Sequence, residues 1–163
     1  MKITILCVGK LKESFYREAA AEYVKRLGRY CKPEIIELAD EKTPDGAGAA
    51  AQEQIRAKEG GRILARLEKL RREGAFVCAL AIDGKQMDSL EFAAKLGQLE
   101  NSGIHRLVFL IGGSLGMPEQ VLGQADLRLS FSRMTFPHQL MRVILLEQVY
   151  RGYRIICNEP YHK

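Results

Sequence analysis

Two short stretches of this chain carry the residue types that ligand chemistry needs. The first is Ile111-Gly112-Gly113-Ser114-Leu115-Gly116-Met117-Pro118, which closes an apolar run and sets Pro118 where a helix would begin. Its glycines let the backbone come close to a ligand and turn N–H groups toward it, as in nucleotide-binding loops at the carboxyl ends of parallel strands. A side chain at Gly112 is expected to fill the ligand's space. The second stretch, Ser130-Phe131-Ser132-Arg133-Met134-Thr135-Phe136-Pro137-His138, combines aromatics, hydroxyls and a cation directly ahead of an apolar helix. Its backbone could hydrogen-bond an adenine edge while Phe131, Met134 and Phe136 form an apolar slot. Packing of Phe136 on Leu140 as a hydrophobic staple is the competing reading.

Spacing narrows the ligand. The loop reads G-G-x-x-G and not G-x-G-x-x-G, no acid follows at the distance that would hold a ribose, and there is no G-K-[ST]. A dinucleotide or triphosphate is disfavoured, and a smaller adenosyl ligand remains open. Cys7, Cys31, Cys78 and Cys157 form no C-x-x-C pair or zinc spacing, so neither disulfides nor a metal is expected. Cys7 and Cys78 lie in apolar runs and read as small buried hydrophobes.

The elements that must position these loops alternate between two periods. Apolar or β-branched runs at 3–8, 34–38, 76–82, 106–111 and 127–131 predict strands separated by helices, hence an α/β fold with a mainly parallel sheet flanked by helices. Glu13 to Tyr30 reads as a helix with Phe15, Ala19, Tyr23 and Leu27 on its buried stripe. Residues 39–50 read as a loop leading into a charged helix over 51–73 that Gly60-Gly61 should break or bend. An Asp83-Gly84 turn should close the third strand, and Asp88 with Glu91 predicts a capping box for a helix running to about Asn101. The last helix, Pro137 to about Arg151, is apolar on most sides. It is expected to pack one side on the sheet and another on a second copy, cover by the chain's own tail being the alternative.

With 163 residues, 47% hydrophobic and 28% charged, the chain suits one compact domain spanning 1–163. The start is too short for a secretory leader and no apolar run spans a bilayer, so a cytoplasmic protein without membrane contact is expected. The net charge of +5 is uneven: residues 1–32 hold eight bases against three acids, and 126–163 hold six against three. If those ends meet, they form a basic field suited to a phosphate backbone.

From end to end the chain resembles the RlmH family. The resemblance rests on Met1 through Gly9-Lys10-Leu11-Lys12, on Ile111-Gly112-Gly113-Ser114, and on Leu129 to Ser132 continuing through Thr135-Phe136-Pro137-His138-Gln139-Leu140-Met141-Arg142. It also includes Glu147-Gln148-Val149-Tyr150-Arg151 and the closing Pro160-Tyr161-His162-Lys163. It implies a SPOUT-type α/β knot with a deep C-terminal trefoil knot, and a homodimer whose two subunits build the active site. It also implies S-adenosylmethionine as donor, and as substrate N3 of a pseudouridine in helix 69 of 23S rRNA in the 70S ribosome. Carried over by position, the donor site is Leu80, Gly112, Phe131, Ser132, Arg133, Met134, Thr135 and Phe136, with no metal.

Because N3 of the neutral base carries a proton, transfer needs a base or an environment that stabilises the N3 anion. The candidates are His138, Arg142, Tyr161 and His162. Either histidine could take the proton, Arg142 could stabilise the anion or hold a phosphate, and Tyr161 could stack on a splayed base. Two rival functions remain at this level. One is a non-catalytic ribosome-associated RNA-binding protein, which donor binding would separate. The other is a flavodoxin-like or Rossmann enzyme, which flavin absorbance or nicotinamide binding would support.

Overall fold

A computed structural model describes residues 1–161. Five strands, β1 (Lys2–Val8), β2 (Lys32–Leu38), β3 (Phe76–Gln86), β4 (Arg106–Ile111) and β5 (Leu127–Ser130), form one sheet in the order β2-β1-β4-β3-β5. Every neighbouring pair is parallel. A flavodoxin-like winding would run 2-1-3-4-5, so the exchange of β3 and β4 separates this sheet from that rival.

Alternation along the central strands divides the core. Ile3, Ile5 and Cys7 of β1, with Leu107, Phe109 and Ile111 of β4, point to the face covered by α1 (Ser14–Leu27), α3 (Ser89–Asn101) and α5 (His138–Ile156). Leu6, Val8, Val108 and Leu110 point to the opposite face, under α2 (Ala49–Arg72) and the short α4 (Glu119–Leu122). Burying each such side chain contributes about 1.5–3 kcal/mol, which makes β1 and β4 the firmest part of the frame. Cys7 and Cys78 are buried within it, and burial pushes both thiols up to about 12.

Several expectations change in the folded chain. Phe15 is 59% exposed, and the buried stripe of α1 begins instead at Ala20, because α1 turns its Ala20–Leu27 face toward α5. Gly60-Gly61 does not interrupt α2, which is helical over 24 residues. A Cβ on Gly60 would stand 2.5 Å from Cγ of Pro118, so this glycine serves close packing of α2 on the segment after β4. The Asp83-Gly84 pair does not end β3. Pairing with β5 pauses after Leu80 and resumes at Lys85, and 81–84 bulge out between. The Asp88 side chain accepts from the Glu91 N–H at 2.8 Å while Glu91 caps the Asp88 N–H at 2.9 Å, so the predicted capping box is present.

The terminal helix is central, since α5 lies between α1 and α3 on the sheet. The chain's own tail covers part of it, with Tyr161 packed edge-on against Tyr150 at 5.0 Å between ring centroids.

Candidate active site

The two loops singled out by their chemistry meet at the carboxyl ends of β3, β4 and β5. Together they enclose a cleft of about 860 Å³, within the size range of small-molecule sites. Leu80, Gly112, Phe131, Ser132, Met134, Thr135, Phe136 and His138 all line it. Arg133 is the one member of its run outside the wall, with its side chain exposed to solvent. Three parts of the wall escaped the sequence: Gln52 and Arg56 from α2, Asp83 from the β3 bulge, and Met141 from α5. Nothing local marks Gln52 or Arg56, because α2 reaches the cleft only through tertiary packing. Asp83 was hidden by its likeness to an ordinary turn residue.

The glycine loop is fixed by its own packing. A Cβ on Gly112 would stand 2.8 Å from both the Gly116 carbonyl carbon and Cγ of Met117, so the space it lacks is filled by the loop and not reserved for a ligand. That corrects the expectation for Gly112: the residue shapes the loop before any ligand arrives. Gly113 bridges to Gly116, and a Cβ there would stand 2.7 Å from Oε2 of Glu59 on α2. Glu59 is 3% exposed, and its Oε1 accepts from the Glu41 N–H at 2.9 Å while Oε2 has no hydrogen-bond partner among the described residues. Burial pushes its carboxyl above the usual glutamate range.

The opposite wall is held more lightly. The Ser130 hydroxyl donates to the Ser132 carbonyl at 3.0 Å, and the Met134 N–H donates to the Ser132 hydroxyl at 2.9 Å. Ser132 therefore spends its side chain on folding its own loop, while Met134 is 72% exposed. Behind it, Gly84 lets the β3 bulge press onto β5, since a Cβ would come within 2.8 Å of the Arg128 and Leu129 backbone.

The four candidates for proton and anion chemistry do not stand together. His138, the first residue of α5, is half-buried in the cleft wall. Burial first, then the Arg142 charge, hold its imidazole below the usual histidine value, which keeps it neutral and able to accept a proton near neutrality. Arg142 is corrected. It is fully buried, and its guanidinium donates to Glu37 Oε1 at 2.8 Å, to the Val8 carbonyl at 2.9 Å and to the Gly9 carbonyl at 2.6 Å. These bonds tie α5 to the ends of β1 and β2, and complete burial leaves the guanidinium no exposed edge to offer a phosphate. Tyr161 stands against Tyr150, donates to Glu147 Oε1 at 3.2 Å, and has the Arg151 guanidinium 4.7 Å from its ring centroid. At the helical rise, Tyr150 lies about 18 Å along α5 from His138, so Tyr161 does not reach the cleft of its own chain. His162 lies outside the described residues.

The two basic ends of the chain do meet. The Lys12 N–H donates to Gln139 Oε1 at 2.9 Å, which brings the segment after β1 to the start of α5 beside the cleft. Lys10, Lys12 and Arg133 are exposed there and form no ion pair among the described residues. Among the described residues there is also no group of three His, Cys, Asp or Glu that could hold a metal ion, and no helix long and apolar enough to cross a membrane.

Comparison with known proteins matches this architecture to one family. The family described as "Predicted SPOUT methyltransferase" matches residues 1–162. A "Ribosomal RNA large subunit methyltransferase H" of Bifidobacterium adolescentis is 57% identical over 163 residues, covering all of both chains. The protein of that name from Clostridium beijerinckii is 53% identical, again over both whole chains. Among solved structures, a probable methylase family protein from Haemophilus influenzae Rd KW20 is similar in fold, with TM-score 0.58 and 11% identity over 99% of this chain and 70% of that one. A putative methylase family protein from Neisseria gonorrhoeae gives 0.54 and 12%, over 91% and 81%. By the full-length family match and these relatives, the chain belongs to the SPOUT methyltransferase family, among the proteins named ribosomal RNA large subunit methyltransferase H.

Proposed function

We propose that this protein transfers the methyl group of S-adenosylmethionine to N3 of a pseudouridine in helix 69 of 23S rRNA. It acts as a cytoplasmic homodimer on the assembled 70S ribosome, and each chain is one SPOUT domain with a deep C-terminal trefoil knot. The observation that carries the reading is the single cleft that gathers Leu80, Gly112 and the 131–136 loop and sets His138 in its wall. Relatives over half identical across the whole chain carry an rRNA methyltransferase name, and the exposed lysines beside His138 suit a phosphate backbone.

The cleft fits the donor. Phe131 and Phe136 offer an apolar slot for adenine, and Asp83 is the acid of the wall that can face a cationic ligand. The donor supplies an electrophilic methyl on a sulfonium. The chain's own residues align the base, exclude water, and take the N3 proton at His138. The freed N3 electron pair then forms the bond to the methyl carbon while the carbon–sulfur pair stays on sulfur. A second copy is favoured by the distance between Tyr161 and the cleft of its own chain: from that position Tyr161 can serve the reaction only in another subunit's cleft. The exposed Met134 and Ile82 at the mouth offer that subunit an apolar rim.

The test is incubation of the protein with labelled S-adenosylmethionine and 70S particles lacking the modification, followed by nucleoside mass spectrometry. Label is expected in N3-methylated pseudouridine from 23S rRNA. Donor binding without any labelled nucleoside would overturn the reading.

A further inference from the structure

One acid beside the cleft has no structural work of its own. Asp40 lies two residues beyond the end of β2, and the backbone on both sides of it is anchored to α2. The Ala39 carbonyl accepts from Arg62 Nη1 at 2.9 Å, and the Glu41 N–H donates to Glu59 at 2.9 Å. The end of β2 is itself held, since the Gly9 N–H donates to the Leu38 carbonyl at 2.8 Å. Within this fixed segment the Asp40 carboxylate is exposed and takes part in no hydrogen bond or ion pair among the described residues. It faces the open space over Gly9, whose φ of 82° keeps a side chain out. A point one Cβ bond above Gly9 is 3.4 Å from Nε2 of His138 and 3.6 Å from Cγ of Asp40. The missing Gly9 side chain thus leaves one small gap that the imidazole and the carboxylate share.

We propose that Asp40 is the positioning residue for His138 in the methyl transfer reaction. This rests on the reaction proposed above. Rotation of the two side chains into the gap over Gly9 closes an Nε2–H to carboxylate hydrogen bond. That bond fixes the tautomer with the lone pair on Nδ1, the nitrogen that takes the N3 proton. The resulting imidazolium is stabilised by the Asp40 charge until the proton is lost to water. The charged groups that face His138 are Arg142 from the next turn of α5, Lys12 from the segment after β1, and Asp40 from the segment after β2. Arg142 and Lys12 oppose protonation, and Asp40 favours it. Asp40 is therefore the one group among them that can offset the cost of the protonated intermediate.

The test uses the full-length protein with labelled histidine, comparing wild type with Asp40→Asn and Asp40→Glu. Nuclear magnetic resonance titration without donor should show the His138 pKa falling in Asp40→Asn and recovering in Asp40→Glu. Single-turnover methylation should fall about tenfold in Asp40→Asn and recover in Asp40→Glu, with donor affinity by calorimetry unchanged. An unshifted His138 pKa, or an unchanged single-turnover rate in Asp40→Asn, would overturn the assignment. Absence of N3 methylation by the wild type would instead sink the proposed reaction, and the titration alone would then decide whether Asp40 and His138 are paired.

Discussion

The two walls of the cleft are built on different principles. The 112–118 loop has one backbone hydrogen bond, from the Gly116 N–H to the Gly113 carbonyl at 3.1 Å, and is otherwise closed by van der Waals contact: Gly112 against Gly116 and Met117, Gly113 against Glu59, Pro118 against Gly60. The 130–136 loop is closed by two serine hydrogen bonds and leaves Met134 in solvent. Close packing has no slack, whereas a loop held by a pair of hydrogen bonds can readjust at a cost of about 1 kcal/mol per bond. The glycine wall is therefore a rigid floor against which a ligand is placed. The serine wall is the part free to readjust.

The contrast can be broken at its stiff end first. Gly112→Val drives a branched side chain into the Gly116 backbone and should cost about 3 kcal/mol in chemical denaturation and abolish donor binding. A stable variant that has lost only donor binding would return Gly112 to the role of ligand contact. Next, Gly60→Ala should lose about 1–2 kcal/mol by collision with Pro118, whereas Gly61→Ala, with open space around it, should gain about 1 kcal/mol from helix propensity. Equal shifts in the two variants would show that α2 and the glycine loop are not tightly packed.

Glu59 gives a pH test of the same floor. Because burial raises its folded pKa above the unfolded 4.5, the unfolded chain loses this proton first, and stability falls as pH climbs from about 4.5 through the folded value. Glu59→Gln keeps an acceptor for the Glu41 N–H and cannot ionise. Its Tm should gain on wild type across that window, and parallel Tm curves would remove Glu59 as the source. The smallest effect belongs to the pliant wall. Ser132→Ala should cost about 1 kcal/mol or less in stability, yet speed amide exchange at Met134, which loses its acceptor. Unchanged exchange there would mean that the wall is held by something other than its serines.

Local signals were legible wherever neighbours in sequence are also neighbours in space. The Asp88 capping box reads directly because its partners are three residues apart, and the strands read directly because alternation is a property of one segment. Phe15 misled because periodicity fixes the spacing of a stripe and not which face meets α5. Gly60-Gly61 misled because a helix-weakening glycine and a helix-packing one look alike until Pro118 is in place against Gly60. Arg142 misled most, since an arginine beside a histidine invites a role in catalysis. Its actual partners, Glu37 and the carbonyls of Val8 and Gly9, lie more than a hundred residues away in the chain.

By itself, then, the sequence determined the α/β class, the two loops that form the cleft, and the family. These depend on residue type and short spacing, which a linear chain displays in full. Only the tertiary structure decided the exchange of β3 and β4 in the sheet, the burial of Arg142, the entry of α2 and Asp83 into the cleft, and the placing of both Asp40 and His138 around the space over Gly9. Each of those is set by contacts between distant segments, and burial and charge take their values only when such segments close on one another.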